Sequence, residues 1–88
     1  MSYKLKFKTS ARKKFSKLNP DIADQFLKKL KAIQENPKIP KNKLSGSVDL
    51  YKIKLRAAGY RLVYQVIDSE IVILVIDVAR RDTIYKNT

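Results

Sequence analysis

The sequence predicts an α+β fold in the order β-α-α-β-β-β, with two N-terminal helices packed on an antiparallel sheet. Three observations carry that expectation. Apolar and charged residues alternate with period two near the N-terminus, two stretches of helical periodicity fill the rest of the first half, and tight turn signals divide the second half into three strands. With 88 residues the chain makes one domain, residues 1–88, and its hydrophobic fraction of 44% is sufficient for a packed core.

Tyr3, Leu5 and Phe7 alternate with Lys4, Lys6 and Lys8, the pattern of a strand with one wet face. Thr9 or Ser10 then caps a short helix carrying Ala11, Phe15 and Leu18 on one side. Asn19-Pro20-Asp21 opens a second helix with a capping side chain, proline in the first turn and an acid facing the helix dipole. Ile22, Phe26, Leu30 and Ile33 form its apolar stripe, and Asn36-Pro37 ends it. Residues Pro37 to Val48 hold two prolines and Gly46, which predicts a surface connection.

Leu50 to Arg56 alternates again, with Tyr51, Ile53 and Leu55 on one face and Lys52, Lys54 and Arg56 on the other. Ala57-Ala58-Gly59 forms the turn, Tyr60 to Ile67 the next strand, and Asp68-Ser69-Glu70 a second turn. Ile71 to Val78 is apolar on both faces, which places it inside the sheet. Tyr51, Tyr60 and Tyr64 are expected to pack with their hydroxyls at the rim, and Asp77 to pair with a neighbouring arginine.

Charge narrows the function. Twenty Lys plus Arg against eight Asp plus Glu give a net charge of +12, which argues for a polyanionic partner. Residues 1–43 carry 13 basic and 3 acidic side chains, a net +10; residues 44–88 carry 7 and 5, a net +2. The chain has no Cys and no His, which excludes disulfides, thiol nucleophiles, histidine-dependent triads and zinc hydrolases. No metal site and no cofactor are expected. The longest strongly apolar run, Ile71 to Ile76, is six residues, and the N-terminus has no signal-like apolar region, so a cytoplasmic protein without membrane association is expected.

Lys52 and Lys54 share one face of a strand, the next strand opens with Tyr60-Arg61, and the last runs into Arg80-Arg81 with Tyr85 shortly after. Three strands side by side would gather Lys52, Lys54, Arg61, Arg81 and Tyr85 into one patch. Clustered cations stabilise a pentacovalent phosphorane and depress one another's pKa, so a crowded lysine is able to accept a proton. Tyr85 is suited to stacking on a base. Alternating lysines on a strand are, equally, a common way to keep an edge solvated and unpaired. The strand register separates the two. Lys54 opposite Arg61 either pairs Arg56 with Gly59 or makes Arg56 to Gly59 a four-residue loop, and a shared catalytic face requires that register. A three-residue loop pairs Arg56 with Tyr60 and turns Arg61 to the face of Ile53 and Leu55.

The segments Asn42-Lys43-Leu44-Ser45-Gly46, Tyr51-Lys52-Ile53-Lys54-Leu55-Arg56 and Gly59-Tyr60-Arg61-Leu62-Val63-Tyr64-Gln65-Val66 closely resemble the RelE branch of the RelE/ParE toxin superfamily. The resemblance covers essentially the whole chain. It implies a toxin that enters the ribosomal A site and cuts messenger RNA without metal, by attack of a 2′-hydroxyl on the adjacent phosphate. By position, Lys52 and Lys54 are similar to that branch's catalytic lysines, with Lys54 as general base. Arg61 is similar to the arginine that stabilises the phosphorane, Arg81 to the one near the leaving 5′-oxygen, and Tyr85 to the tyrosine that stacks on the substrate. Ser45 stands where the branch carries arginine before the loop glycine, and the nearness of Tyr85 to the last residue predicts no long C-terminal helix.

The resemblance further implies a cognate acidic antitoxin as partner, with DNA met only indirectly through the antitoxin complex. Ribosomal RNA affinity is expected from Lys4, Lys6, Lys8, Arg12, Lys13, Lys14, Lys28, Lys29 and Lys31. Two other readings stay open on sequence alone: a ParE-like inhibitor of a protein such as gyrase, and a non-catalytic RNA-binding module.

Overall fold

The computed structural model describes residues 2–46 and 49–80. Six elements build the fold: β1 (Lys4–Phe7), α1 (Thr9–Ser16), α2 (Pro20–Ala32), β2 (Leu50–Leu55), β3 (Tyr60–Ile67) and β4 (Val72–Arg80). They form a four-stranded sheet in the order β1-β4-β3-β2. β4 lies inside the sheet, as its two apolar faces require. One pairing departs from the expected antiparallel sheet: β1 joins β4 in parallel, from Lys4 opposite Val72 to Phe7 opposite Val75. The two helices carry the chain from one sheet edge to the other and return it to the end where β1 began, so β1 and β4 run the same way. Period-two alternation looks the same in either pairing, so the residues of β1 hold no signal of this.

Local physics explains the helix ends. α1 starts at Thr9 with Lys8 in the capping position and no side-chain cap, not at a Thr9 or Ser10 cap. The Lys8 N–H extends the ladder to the Val75 carbonyl at 2.9 Å, and its own carbonyl accepts from Arg12 N–H, so the chain passes from strand to helix without a spacer. In α2 the Asn19 side chain accepts from Asp21 N–H at 2.9 Å, with Pro20 in the first turn. That helix ends at Ala32, ahead of Asn36-Pro37, because Ile33 and Gln34 donate to the carbonyls three residues back and tighten the last turn.

The core lies between the helices and one sheet face. Ala11 of α1 and Phe26 and Leu30 of α2 are fully buried with Leu62, Tyr64, Ile73 and Val75. Pro37 is fully buried too, which corrects the expectation that its segment is wholly a surface connection. Tyr64 explains it: its hydroxyl donates to the Pro37 carbonyl at 2.8 Å, inside the protein and not at the rim. Its ring stacks on Tyr51 at 5.5 Å, and burial pushes its pKa up to about 12, so it remains a donor.

A polar clip holds the end of the sheet where β1 starts. Asp68, after β3, accepts from Tyr3 OH at 2.8 Å and from Lys38 Nζ. Hydrogen bonds from Lys38 first and Tyr3 second hold the Asp68 carboxyl below its ordinary value, and Asp68 raises Lys38 in return. A depressed carboxyl stabilises the fold above its unfolded-state pKa, and the contribution is lost as pH falls through the folded value. Asp68→Asn is therefore expected to lower the thermal midpoint slightly at neutral pH. The difference from the unaltered protein should vanish on acidification, once the carboxyl is protonated in both states; thermal melts across the acid range check it.

Candidate functional site

β2 and β3 pair antiparallel with Lys54 opposite Arg61, Lys52 opposite Val63 and Ile53 opposite Leu62. The connection is the four-residue loop Arg56–Gly59. Gly59 takes a φ of 73°, and its N–H donates to the Leu55 carbonyl at 2.9 Å. That positive φ is one glycine adopts without strain, so the sequence at the loop's last position permits the longer loop. Directly opposed residues share a face. Ile53, Leu55 and Leu62 therefore fill the core, while Lys52, Lys54 and Arg61 stand on the opposite face.

Opposed Cβ atoms in such a ladder are about 5 Å apart, and Lys52 and Lys54 are separated by about 7 Å along the strand. Three long cationic side chains are thus rooted close together on one face, each long enough to reach a single phosphodiester. On the β4 side Arg61 faces Ala79, whose small side chain leaves the guanidinium room. The next ladder row runs from Lys52 through Val63 to Asp77. Beyond Asp77 the pairing shifts at Val63/Tyr64, with Ile76 as the extra residue.

The patch continues around the edge of β2. A cleft of about 650 Å³ opens between β2, the C-terminal half of α2 and a short 3-10 turn at Pro40–Asn42. Lys29, Lys41 and Arg56 line it together with Lys52 and Lys54, and Ala32, Ile33 and Ile39 supply apolar surface. Among the described residues, no acidic side chain lines it. A hollow of about 370 Å³ adjoins it, shared by Lys29, Lys54 and Arg56 with the β2–β3 loop. Cations around apolar surface suit a nucleic acid strand, which presents phosphates and base faces together.

Lys29 was expected among the helical cations, whereas Lys41 and Arg56 are unexpected neighbours of the lysine pair. Arg56 was visible through its alternation with Lys52 and Lys54. Lys41 was not, because an irregular segment has no periodicity to read. Two of the other helical cations are held in ion pairs. Lys28 pairs with Asp24 one turn back at 3.1 Å, and Lys14 pairs with Asp77 at 2.8 Å, where an arginine partner was expected for Asp77. Lys4, Lys6, Lys8, Arg12, Lys13 and Lys31 are exposed along β1 and the helices. Arg81 and Tyr85 lie outside the described residues. Arg80, the last described residue, sits over the Tyr60 ring at 5.8 Å.

Comparison with known proteins agrees on one group. The family model described as ParE toxin of the type II toxin–antitoxin system, parDE, matches residues 5–85. The mRNA interferase toxin RelE of Escherichia coli K12 is 50% identical over 82 residues, which are 93% of this chain and 86% of the relative. Among solved structures, the isolated E. coli RelE toxin superposes with a TM-score of 0.88 at 46% identity, covering 98% of this chain and 94% of the other. The toxin of the intact E. coli RelBE toxin–antitoxin complex superposes with a TM-score of 0.86 at 49% identity, covering 90% and 96%. The family model gives the kind of system, and the relatives at half identity give the branch.

Proposed function

We propose that this chain, which belongs to the RelE branch of the RelE/ParE superfamily of type II toxins, is a ribosome-dependent endoribonuclease that cuts messenger RNA in the A site. The pairing of Lys54 with Arg61, on the face turned away from the core and beside Lys52, is the observation that carries the reading. An edge protected merely by solvated lysines has no need to place an arginine opposite one of them.

In this mechanism Lys54 takes the proton from the 2′-hydroxyl of the nucleotide before the cut. The 2′-oxygen then attacks the adjacent phosphorus. Arg61 and Lys52 hold the negative charge that builds on the phosphorane oxygens, charge that is larger in the transition state than in the bound message. The bond from phosphorus to the next nucleotide's 5′-oxygen breaks, and that oxygen takes a proton from solvent as it leaves near Arg81, whose charge offsets the one developing on it. The products are a 2′,3′-cyclic phosphate and a 5′-hydroxyl. Tyr85 stacks on a substrate base, and Lys29, Lys41 and Arg56 guide the flanking strand through the cleft.

The exposed cations of β1 and the helices give affinity for ribosomal RNA. A cognate acidic antitoxin neutralises the toxin by covering this basic surface, and a ribosomal substrate places the protein in the cytoplasm. No helix among the described residues is long and apolar enough to cross a membrane.

The test compares purified protein on programmed ribosomes with the same message free in solution. Cleavage is expected only on ribosomes, and it should survive EDTA added to pre-assembled complexes that retain their structural magnesium. Since the matching family model is that of a ParE toxin, the second reading is inhibition of a protein target. Arrested replication with intact translation and no cut message would favour it.

A further inference from the structure

Asp77 is the only acidic residue in any of the four described strands. The ladder row from Lys52 through Val63 puts it on the face of Lys52, Lys54 and Arg61. From Asp77 to Arg80 the β3–β4 register is regular, with Arg61 opposite Ala79. Asp77 is therefore the diagonal neighbour of Arg61, at a Cβ separation of about 7–8 Å that an arginine side chain spans easily. A carboxylate there is a competitor for the guanidinium. It offers Arg61 the bidentate partner that a phosphodiester would otherwise provide, and it sets a negative charge beside a reaction that builds more of it.

Asp77 is already engaged. Lys14 Nζ of α1 lies 2.8 Å from its Oδ1. β1 pairs with β4 only as far as Val75, so the stretch from Ile76 onward has no strand partner on that side among the described residues, and Lys14 reaches Asp77 across this uncovered margin. Asp49, just before β2, is engaged elsewhere: it accepts from Gln65 Nε2 at 2.9 Å.

We propose that Lys14 is a positioning residue for Arg61: it holds and neutralises Asp77, and so keeps the arginine available to the scissile phosphate. Both side chains of the pair are about half exposed, at 56% and 47%, so the bridge adds little to stability. Its role is to decide which partner Arg61 meets. The inference rests on the nuclease reading and gives Lys14 a task distinct from ribosomal RNA affinity.

The experiment is single-turnover cleavage on saturating programmed ribosomes, with half-saturation measured separately. Lys14→Ala should slow the cleavage step about three- to tenfold, the size expected of one released charge at this distance in a partly solvated site. Asp77→Asn alone should cleave at least as fast as the unaltered protein. The double variant should recover the rate of Asp77→Asn, and Lys14→Arg should behave as wild type. A double variant as slow as Lys14→Ala would overturn the proposal, as would a Lys14→Ala effect confined to half-saturation. Arg61→Ala, run alongside, separates the two levels. If it cleaves normally, the catalytic assignment falls and this inference with it. If it is slow while Asp77→Asn gives no rescue, this inference alone falls.

Discussion

Arg61→Ala is expected to slow cleavage of ribosome-bound message by about 10²- to 10³-fold, the loss typical of one preorganised charge contact to a developing oxyanion. The fold should survive the change. Arg61 is half-buried on the face away from the core, and surface substitutions outside caps, cores and buried networks usually shift stability by no more than about 0.5 kcal/mol. Half-saturation on ribosomes should change far less than the rate, because the exposed cations of β1 and the helices retain their RNA contacts. A stopped-flow or quench measurement under single-turnover conditions, with a thermal melt of the same preparation, reads both quantities. Normal cleavage by a well-folded Arg61→Ala protein would remove the arginine from the site.

Phe26→Ala has the opposite signature. Phe26 is fully buried, on the apolar stripe of α2, among Leu30, Leu62 and Tyr64. Truncating a buried phenylalanine costs about 3–5 kcal/mol, a large share of the roughly 5–15 kcal/mol that holds a domain of this kind together. The urea midpoint should fall steeply with little change in the slope of the transition. α2 also carries Lys29 to the cleft beside Lys54, so the same substitution loosens one wall of the site. Conditions that keep the variant folded, such as low temperature, should restore most of its cleavage rate. An unchanged urea midpoint would mean that the helix is not seated on the sheet as described.

Which parts of this were legible in the sequence follows from where physical constraints are local. The strands Leu50–Leu55 and Tyr60–Ile67 could be read almost to the residue, because a sheet with one buried face must alternate and these segments do. The stripe through Phe26 and Leu30 and the Asn19 cap were equally visible. Pairing partners were not. Alternation fixes which residues share a face within a strand, yet leaves open the strand beside it and its direction, and hence the parallel β1–β4 pair escaped. The Ala57-Ala58-Gly59 turn allowed two registers that differ by one residue, and only the ladder separates them.

The same limit applied to long-range polar contacts. Tyr64 gave no sign that its hydroxyl would meet the Pro37 carbonyl, nor Asp77 that its partner would be Lys14, 63 residues earlier. Lysine spacing on one strand pointed to a patch, and resemblance to a toxin branch supplied its chemistry. Lys41, on an irregular segment, joined the cleft only once the chain was folded. Ile71 was expected in the last strand but adopts a left-handed conformation with φ 54° just before it. The turn after Asp68 demands that conformation, and a β-branched residue would not have been chosen for it from propensity.

The central claim is that the 2′-hydroxyl of the message is the nucleophile and that the Lys52, Lys54 and Arg61 face brings it to reaction. Replacing the single nucleotide before the cut with its 2′-deoxy analogue tests this most directly. The base, the phosphate and every contact of the protein with the ribosome are left in place. On programmed ribosomes the deoxy-substituted message should bind the protein as tightly as the ribonucleotide message and remain uncut, while the latter yields a 2′,3′-cyclic phosphate. Cleavage of the deoxy message at a normal rate, or a 3′-hydroxyl end on the ribonucleotide product, would contradict the account.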